Sequence, residues 1–239
     1  MINKQFHDFS DKSGHILQSH WDTVYELFGS DPFKLWVWGT FIVTTTTYWI
    51  TGLSFLLIDL TGKPKFLQKY RIQKIATYPV TFNKVLRATK QILFNQFICG
   101  IPLAFLYYDA MVWRGYDSRR NLPGLPRIAF EFLLFIFLEE IIYYYLHRFL
   151  HTPFMFKHIH RLHHEWKSPI AINAAYCHPV EHIFANIFPL LLGPFLLGSH
   201  LATVWLWISF GTVSTMISHS GFQFPQFPNP EIHDLHHSK

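Results

Sequence analysis

Three apolar runs separated by polar segments dominate the first two-thirds of the chain. Residues 33–60 carry no charge between Lys34 and Asp59, a stretch longer than the roughly 20 residues that cross a bilayer core. Residues 91–113 and 127–146 are two further apolar runs. The pattern predicts three membrane-spanning helices.

A fourth apolar run, residues 183–218, contains no Asp, Glu, Lys or Arg. It is interrupted at Gly193-Pro194 and again at Gly198-Ser199-His200. Histidine clusters flank the run on both sides, so a shared site requires the chain to leave and return on the same face. We therefore expect a helical hairpin that turns at the Gly/Pro breaks.

The segment between the first two runs is strongly basic. Residues 61–90 carry eight cations and no acidic residue, a composition typical of a cytosolic loop. Two crossings later the chain returns to that side near His147, which places the N-terminus in the lumen. Four arginines in residues 114–127 are an opposing signal, and a solvated basic face without topological meaning is the alternative.

Composition supports a membrane protein. Of 239 residues, 50% are hydrophobic and 15% are charged, against about a quarter charged in soluble domains. Two cysteines, Cys99 and Cys177, exclude a disulfide scaffold and a cysteine zinc motif, and a net charge of +5 does not indicate nucleic acid. We divide the chain into a polar N-terminal segment (1–32), a transmembrane region (33–126) and a histidine-rich region (127–239).

Histidine is concentrated in the last region. Thirteen of sixteen histidines lie from residue 147 onward, and most fall into four groups with spacings of three and four, which place side chains on one helical face. The groups are His147 and His151; His160, His163 and His164; His178 and His182; and His233, His236 and His237.

Ten imidazoles exceed what one metal ion binds, so the groups predict two metals with positions left open for water or dioxygen. Neutral imidazole binds Zn, Cu, Fe and Ni alike, which leaves the metal unnamed, although structural zinc is usually closed by four ligands that often include Cys. A lone histidine is more often a core residue than a ligand, so His158 and His200 are left out.

Other residues are candidates for supporting this site. His219 is either a ligand or a supporting residue, while Glu181 and Asp234 could accept imidazole N–H groups. Glu139 and Glu140 lie within an apolar run, where carboxylates are costly and tend to be functional. The alternative is an interfacial pair that meets an arginine.

The order HRxLH, HxxHH, HPxEH, HSG and HDxHH over residues 127–239 resembles the fatty acid hydroxylase/sterol desaturase superfamily of membrane di-iron oxidases. The segments LHRFLHTPFMFKHIHRLHHEWKSP and HSGFQFP are most similar to C-4 methylsterol oxidases. The resemblance implies an all-α, multi-pass fold of three spans plus a hairpin under a cytosolic di-metal cap. It carries the ten histidines of the four groups over as metal ligands.

The implied activity is a monooxygenase that inserts oxygen from O2 into a C–H bond of a lipid, above all the C-4 methyl group of a sterol intermediate. The implied cofactors are two iron ions, for which zinc can substitute in a purified sample. Cytochrome b5 or a related NAD(P)H-fed reductase would supply electrons, in the endoplasmic reticulum membrane with the metal site on the cytosolic side. The implied partners are the lipid substrate, this electron carrier and membrane lipid.

Alternatives stay open. Within the enzymes they are a fatty-acyl or sphingolipid hydroxylase, a sterol side-chain hydroxylase and a sterol desaturase. From another class comes a non-enzymatic lipid- or metal-binding membrane protein. Members of the family normally continue past the last HxxHH, whereas this sequence reaches Ser238-Lys239. From that we expect a truncated C-terminal end and a frayed last helix around His236 and His237.

Overall fold

The computed structural model describes residues 2–73, 80–116, 121–225 and 230–238, with side chains from residue 14 onward, and these residues form helices and connecting segments without strands. The predicted all-α, multi-pass class is confirmed. The helices are α1 (Ile2–Leu27), α2 (Pro32–Thr61), α3 (Phe82–Trp113), α4 (Leu125–Leu150), α5 (Pro153–His158), α6 (Pro179–Leu197), α7 (Leu201–Ser218) and α8 (Glu231–Ser238). Short 3-10 helices lie at Lys65–Tyr70, His160–Glu165 and Ala171–Ala175.

Four of these helices, α2, α3, α6 and α7, are long and apolar enough to cross a membrane. They correspond to the first two predicted spans and to the two arms of the predicted hairpin. The third predicted span lies in α4, which is long enough at 26 residues but is not among the four. Charged side chains lie along most of its length, among them Arg127, Glu131, Glu139 and Glu140.

The hairpin turns at only one of the two predicted breaks. Gly198 ends α6 in the left-handed conformation, with φ 60°, which glycine adopts without penalty. The helix continues through Pro194. Proline cannot donate to the carbonyl one turn before it, and here the carbonyl of Leu190 accepts the indole N–H of Trp207 at 2.8 Å. A neighbouring helix therefore replaces the hydrogen bond that Pro194 cannot make.

The polar N-terminal segment forms α1, which the apolar pattern did not predict. Trp21 is buried. Its ring makes T-shaped contacts with the rings of His200 and Trp205, at centroid distances of 5.1 and 5.5 Å. At the same end of the bundle, Arg114 donates to the carbonyl of Leu196. α1, the C-terminal end of α3 and the hairpin turn therefore lie together at this end of the bundle.

The opposite end of the bundle holds the histidine groups. An apolar cluster that includes Tyr48, Trp166, Tyr176 and Met216 adjoins the second histidine group, because Leu162 packs against it. α2 approaches the Ala171–Ala175 helix closely at Gly52, where an added Cβ would lie 2.7 Å from Cγ2 of Ile172. This tight contact holds in place the segment that connects the second histidine group to the third.

The basic segment after α2 lies at the histidine end. The amide of Ile72 donates to the carbonyl of Gly221 at 3.0 Å, and the amide of Gln223 donates to that of Tyr70 at 2.7 Å. Lys74 and residues 117–120 fall outside the described residues. The basic segment and the histidines thus share one end of the bundle, while α1 and the hairpin turn share the other.

We predict that this histidine end is cytosolic, because the uncompensated cations of residues 61–90 favour retention on that side. Glycosylation acceptors placed within 61–90 should stay unmodified in cells, whereas an acceptor placed within 114–126 should be modified. Gel mobility with and without glycosidase measures both. The reverse pattern would contradict this orientation.

Candidate metal centre

Eight histidine side chains converge in two groups of four at this end of the bundle. Within each group, one ring nitrogen from every residue lies within 4.8 Å of the other three. The first quartet is His147, His151, His160 and His236. The second quartet is His163, His219, His233 and His237.

The spacing of the ring nitrogens in the first quartet matches that of ligands around one ion. Nε2 of His236 lies 3.0 Å from Nε2 of His147 and 3.1 Å from that of His151. Imidazole nitrogens bind zinc at about 2.0–2.1 Å, so two of them on one ion stand about 2.9–3.4 Å apart at right-angled to tetrahedral bond angles. The first quartet therefore fits a transition-metal ion.

The second quartet has the same dimensions. Nε2 of His219 lies 3.2 Å from that of His163 and 2.9 Å from that of His233. Nε2 of His237 lies 3.1 Å from that of His233. Both quartets thus present converging Nε2 atoms, with no cysteine or carboxylate among their members.

Hydrogen bonds at the far ring nitrogen orient three of these imidazoles. Nδ1–H of His160 donates to Oε1 of Glu181 at 2.8 Å. Nδ1–H of His163 donates to the carbonyl of Tyr176 at 3.2 Å, and that of His219 to the carbonyl of Thr215 at 2.8 Å. With the proton held at Nδ1, the Nε2 lone pair points into the quartet, as metal-binding histidines require.

Burial keeps these rings in the neutral, ligand form. Burial, reinforced by neighbouring imidazoles, lowers the pKa of His163 and His219 well below the usual range. The same causes lower the pKa of His164 and of His233 to about 3. An imidazole that is costly to protonate offers its lone pair at neutral pH.

Two short elements contribute to both quartets. The 3-10 helix His160–Glu165 supplies His160 to the first and His163 to the second, with ring centroids 5.4 Å apart. Helix α8 supplies His236 to the first, and His233 and His237 to the second. The quartets are therefore halves of one continuous centre.

The first histidine group lies at the C-terminal end of α4. His147 lies in the last turn of α4, and His151 is its C-terminal cap. Both rings reach the first quartet, and Tyr143, one turn earlier, stacks on His147 at 5.2 Å.

His164 belongs to neither quartet but lies between them. Its Nε2 is 3.1 Å from that of His160, and its ring stacks on His237 at a centroid distance of 4.6 Å. His164 is thus a ninth imidazole of the centre, in the region where sequence placed it.

His178 and His182, both predicted as ligands, are not brought to either quartet. Nδ1 of His178 accepts a hydrogen bond from the amide N–H of Val180 at 3.2 Å. His178 is therefore the N-terminal cap of α6. His182 starts a π-helical turn, and its buried Nδ1 has no hydrogen-bond partner among the described residues. Both residues thus lie at the start of α6, outside the quartets, and their role as ligands stays a prediction.

His219, for which ligand and supporting roles were both open, is a full member of the second quartet. It directly follows the apolar helix α7, and that position is the sequence signal for it. α8 is helical from Glu231 to Ser238, so His236 and His237 reach the quartets in place of the frayed end expected from the sequence.

The carboxylates differ in their roles. Glu181 meets His160 as expected, whereas Oδ2 of the buried Asp234 accepts the side-chain amide of Gln73 at 2.5 Å. Glu139 is half-buried and Glu140 is exposed, and neither hydrogen-bonds an imidazole among the described residues.

A supporting role for Glu139 and Glu140 stays a prediction. Both precede His147 by about two helical turns, so at least one shares its face, and losing an outer partner typically costs about 10–100-fold in metal affinity or activity. Replacing both by glutamine should lower metal per chain without lowering expression. Wild-type metal content in the double variant would identify them as an interfacial pair.

Comparisons with known proteins identify the family of the histidine-rich region. The sequence profile of the fatty acid hydroxylase family matches residues 132–239. Fatty acid hydroxylase domain-containing protein 2 of Macaca fascicularis is 37% identical over 227 residues, covering 95% of this chain and 68% of that protein.

Two other relatives carry different activities in their names. A very-long-chain aldehyde decarbonylase of Oryza sativa subsp. indica is 32% identical over 92% of this chain and 82% of its own length. Methylsterol monooxygenase 2-1 of Arabidopsis thaliana is 29% identical over 90% of this chain and 75% of its own. No solved structure matches the chain.

Proposed function

This chain belongs to the fatty acid hydroxylase family, and from that premise we propose that it is a membrane di-iron monooxygenase acting on a lipid. The overall reaction would convert a C–H bond, O2, two electrons and two protons into C–OH and water. Electrons would come from NAD(P)H through cytochrome b5 or a related reductase. The proposed site of action is the endoplasmic reticulum membrane, with the centre facing the cytosol.

The observation that carries the proposal is the pair of quartets with converging Nε2 atoms. Imidazole suits iron as well as zinc and copper, and a bound pair of irons would supply the redox chemistry that activates O2. The proposed ligands are the eight quartet histidines together with His164. Nine imidazoles are fewer than two octahedral ions can accept, which leaves positions for water or O2.

The chain's own residues would hold and shield this centre. Glu181 and the carbonyls of Tyr176 and Thr215 keep the proton of three imidazoles at Nδ1, away from the metal side. His163, His219 and His237 are almost fully buried, which keeps bulk water from the second quartet. Such exclusion of water limits side reactions of an activated oxidant.

The proposed substrate is the C-4 methyl group of a sterol intermediate. The HSGFQFP segment and the similarity to a methylsterol monooxygenase support it. A second candidate is a long-chain acyl substrate, which the similarity to a very-long-chain aldehyde decarbonylase favours.

Lipid analysis of cells with and without the protein separates these candidates. If the sterol proposal holds, cells lacking the protein accumulate 4-methylsterols, and the wild-type chain restores the profile while His163→Ala does not. Accumulation of acyl precursors instead would favour the second candidate. An unchanged profile together with no NADH-dependent oxygen consumption in microsomes would refute an enzymatic function.

A further inference from the structure

A segment of the basic loop crosses the histidine end of the bundle, and we call residues 65–73 the strap. Its backbone pairs with residues 221–223 through the amides of Ile72 and Gln223. The strap therefore lies beside the chain that leads from His219 toward α8.

Arg71 anchors the strap to the membrane-spanning part of the protein. Its guanidinium forms an ion pair with Asp59 near the end of α2, where the carboxylate side chain has no exposed surface. The same group lies 4.3 Å from the ring centroid of Phe222, and Nε donates to the side chain of Gln68 at 3.2 Å. Because breaking a buried ion pair is strongly destabilising, the strap is held firmly at this point.

Two residues further on, Gln73 connects the strap to α8. Its Nε2 donates to Oδ2 of Asp234 at 2.5 Å and lies 3.5 Å from the carbonyl of Lys167. Asp234 is 4% exposed, and a hydrogen bond to a carboxylate is stronger than one between neutral groups. This contact is therefore among the stronger single links that α8 makes.

α8 needs such a link, because eight residues are too few for a helix that is stable on its own. It nonetheless carries three of the eight quartet histidines, two of them in the second quartet. Any loosening of α8 would remove half of the second quartet but only one member of the first.

We infer that the strap positions α8 through the Gln73–Asp234 contact and thereby sets the metal affinity of the second quartet. Gln73 is a positioning residue, since its hydrogen bonds among the described residues go to Asp234 and Lys167 and not to a quartet histidine. The inference rests on the proposed function in one respect: it takes the second quartet to be a metal site.

The test uses the full-length protein in detergent, with metal per chain and metal affinity as readouts. Gln73→Leu keeps the volume but removes the donor, and Gln73→Lys restores a donor to Asp234. Gln223→Leu is the matched control, because this exposed glutamine contacts the strap through its backbone. Hydrogen exchange of residues 231–238 is measured in parallel without metal.

We expect Gln73→Leu to bind the metal of the second quartet about 10-fold less tightly, the lower end of the range for loss of a group that hydrogen-bonds a metal ligand. Gln73→Lys and Gln223→Leu should behave like the wild type, and exchange in α8 should be faster only in Gln73→Leu. Equal affinity and exchange in Gln73→Leu and the wild type would overturn the inference, as would equal losses in Gln223→Leu. If the wild type binds fewer than two metals, the two-metal proposal fails separately, and exchange in α8 alone decides the role of the strap.

Discussion

Replacing His237 by alanine is expected to abolish turnover and to empty the second quartet while leaving the protein inserted in the membrane. His237 is 2% exposed, and its Nε2 lies 3.1 Å from that of His233. Removing it leaves three imidazoles and a cavity in the quartet. Because the ring is buried among other imidazoles rather than in the apolar clusters of the bundle, the helices that hold the protein in the membrane are unaffected.

His163→Ala should have the same effect, since it removes a ligand from the same quartet. His158→Ala is the matched control, because this exposed histidine on α5 lies outside both quartets. Oxygen consumption, metal per chain and membrane fractionation measure the three expectations. Turnover at the wild-type rate in His237→Ala would exclude the second quartet from catalysis.

Replacing Glu181 by leucine is expected to weaken the first quartet selectively. Glu181 is 3% exposed and accepts Nδ1–H of His160, so its loss leaves a buried imidazole N–H without a partner and frees the ring to turn or change tautomer. Metal affinity of the first quartet should fall about 10–100-fold, as is typical for an outer-shell carboxylate.

Glu181→Gln provides the graded comparison. The amide oxygen can still accept from His160, but glutamine cannot ionise, and an ionised carboxylate beside a bound cation is the stronger acceptor. The affinity should therefore lie between those of the leucine variant and the wild type. Titration with Fe(II) or Co(II), followed spectroscopically, measures both. Identical affinities for all three proteins would show that Glu181 does not support the metal.

Sequence predicted the apolar helices and most of the centre because both depend on local patterns. Hydrophobic runs of sufficient length specify α2, α3 and the two hairpin arms, and the spacing of His147 and His151 specifies one helical face. The hairpin turn followed from Gly198, the one glycine there whose conformation requires it. The break predicted at Pro194 was wrong, because the helix continues through this residue. Only the folded structure shows that Trp207 donates to the carbonyl of Leu190, which Pro194 leaves without its helical partner.

The remaining differences arise from tertiary contacts. His178 was grouped with His182 by helical spacing, whereas His219 stood outside the four groups. Spacing alone did not show that His178 would cap α6 and that His219 would join the second quartet. The division of His160 and His163 between the quartets depends on the 3-10 turn, which the spacing did not reveal. Asp234 was predicted to accept from an imidazole, but its Oδ2 accepts from Gln73, which is far away in sequence.

Metal content of the purified protein tests the central claim most directly. The protein is expressed with supplemented iron, purified in detergent, and its metal per chain is measured by elemental analysis beside His151→Ala and His237→Ala, one variant for each quartet. We expect two metal ions per wild-type chain and about one in each variant. One ion or none per wild-type chain, or a single variant that loses both while the other loses neither, would contradict a centre built from two histidine quartets.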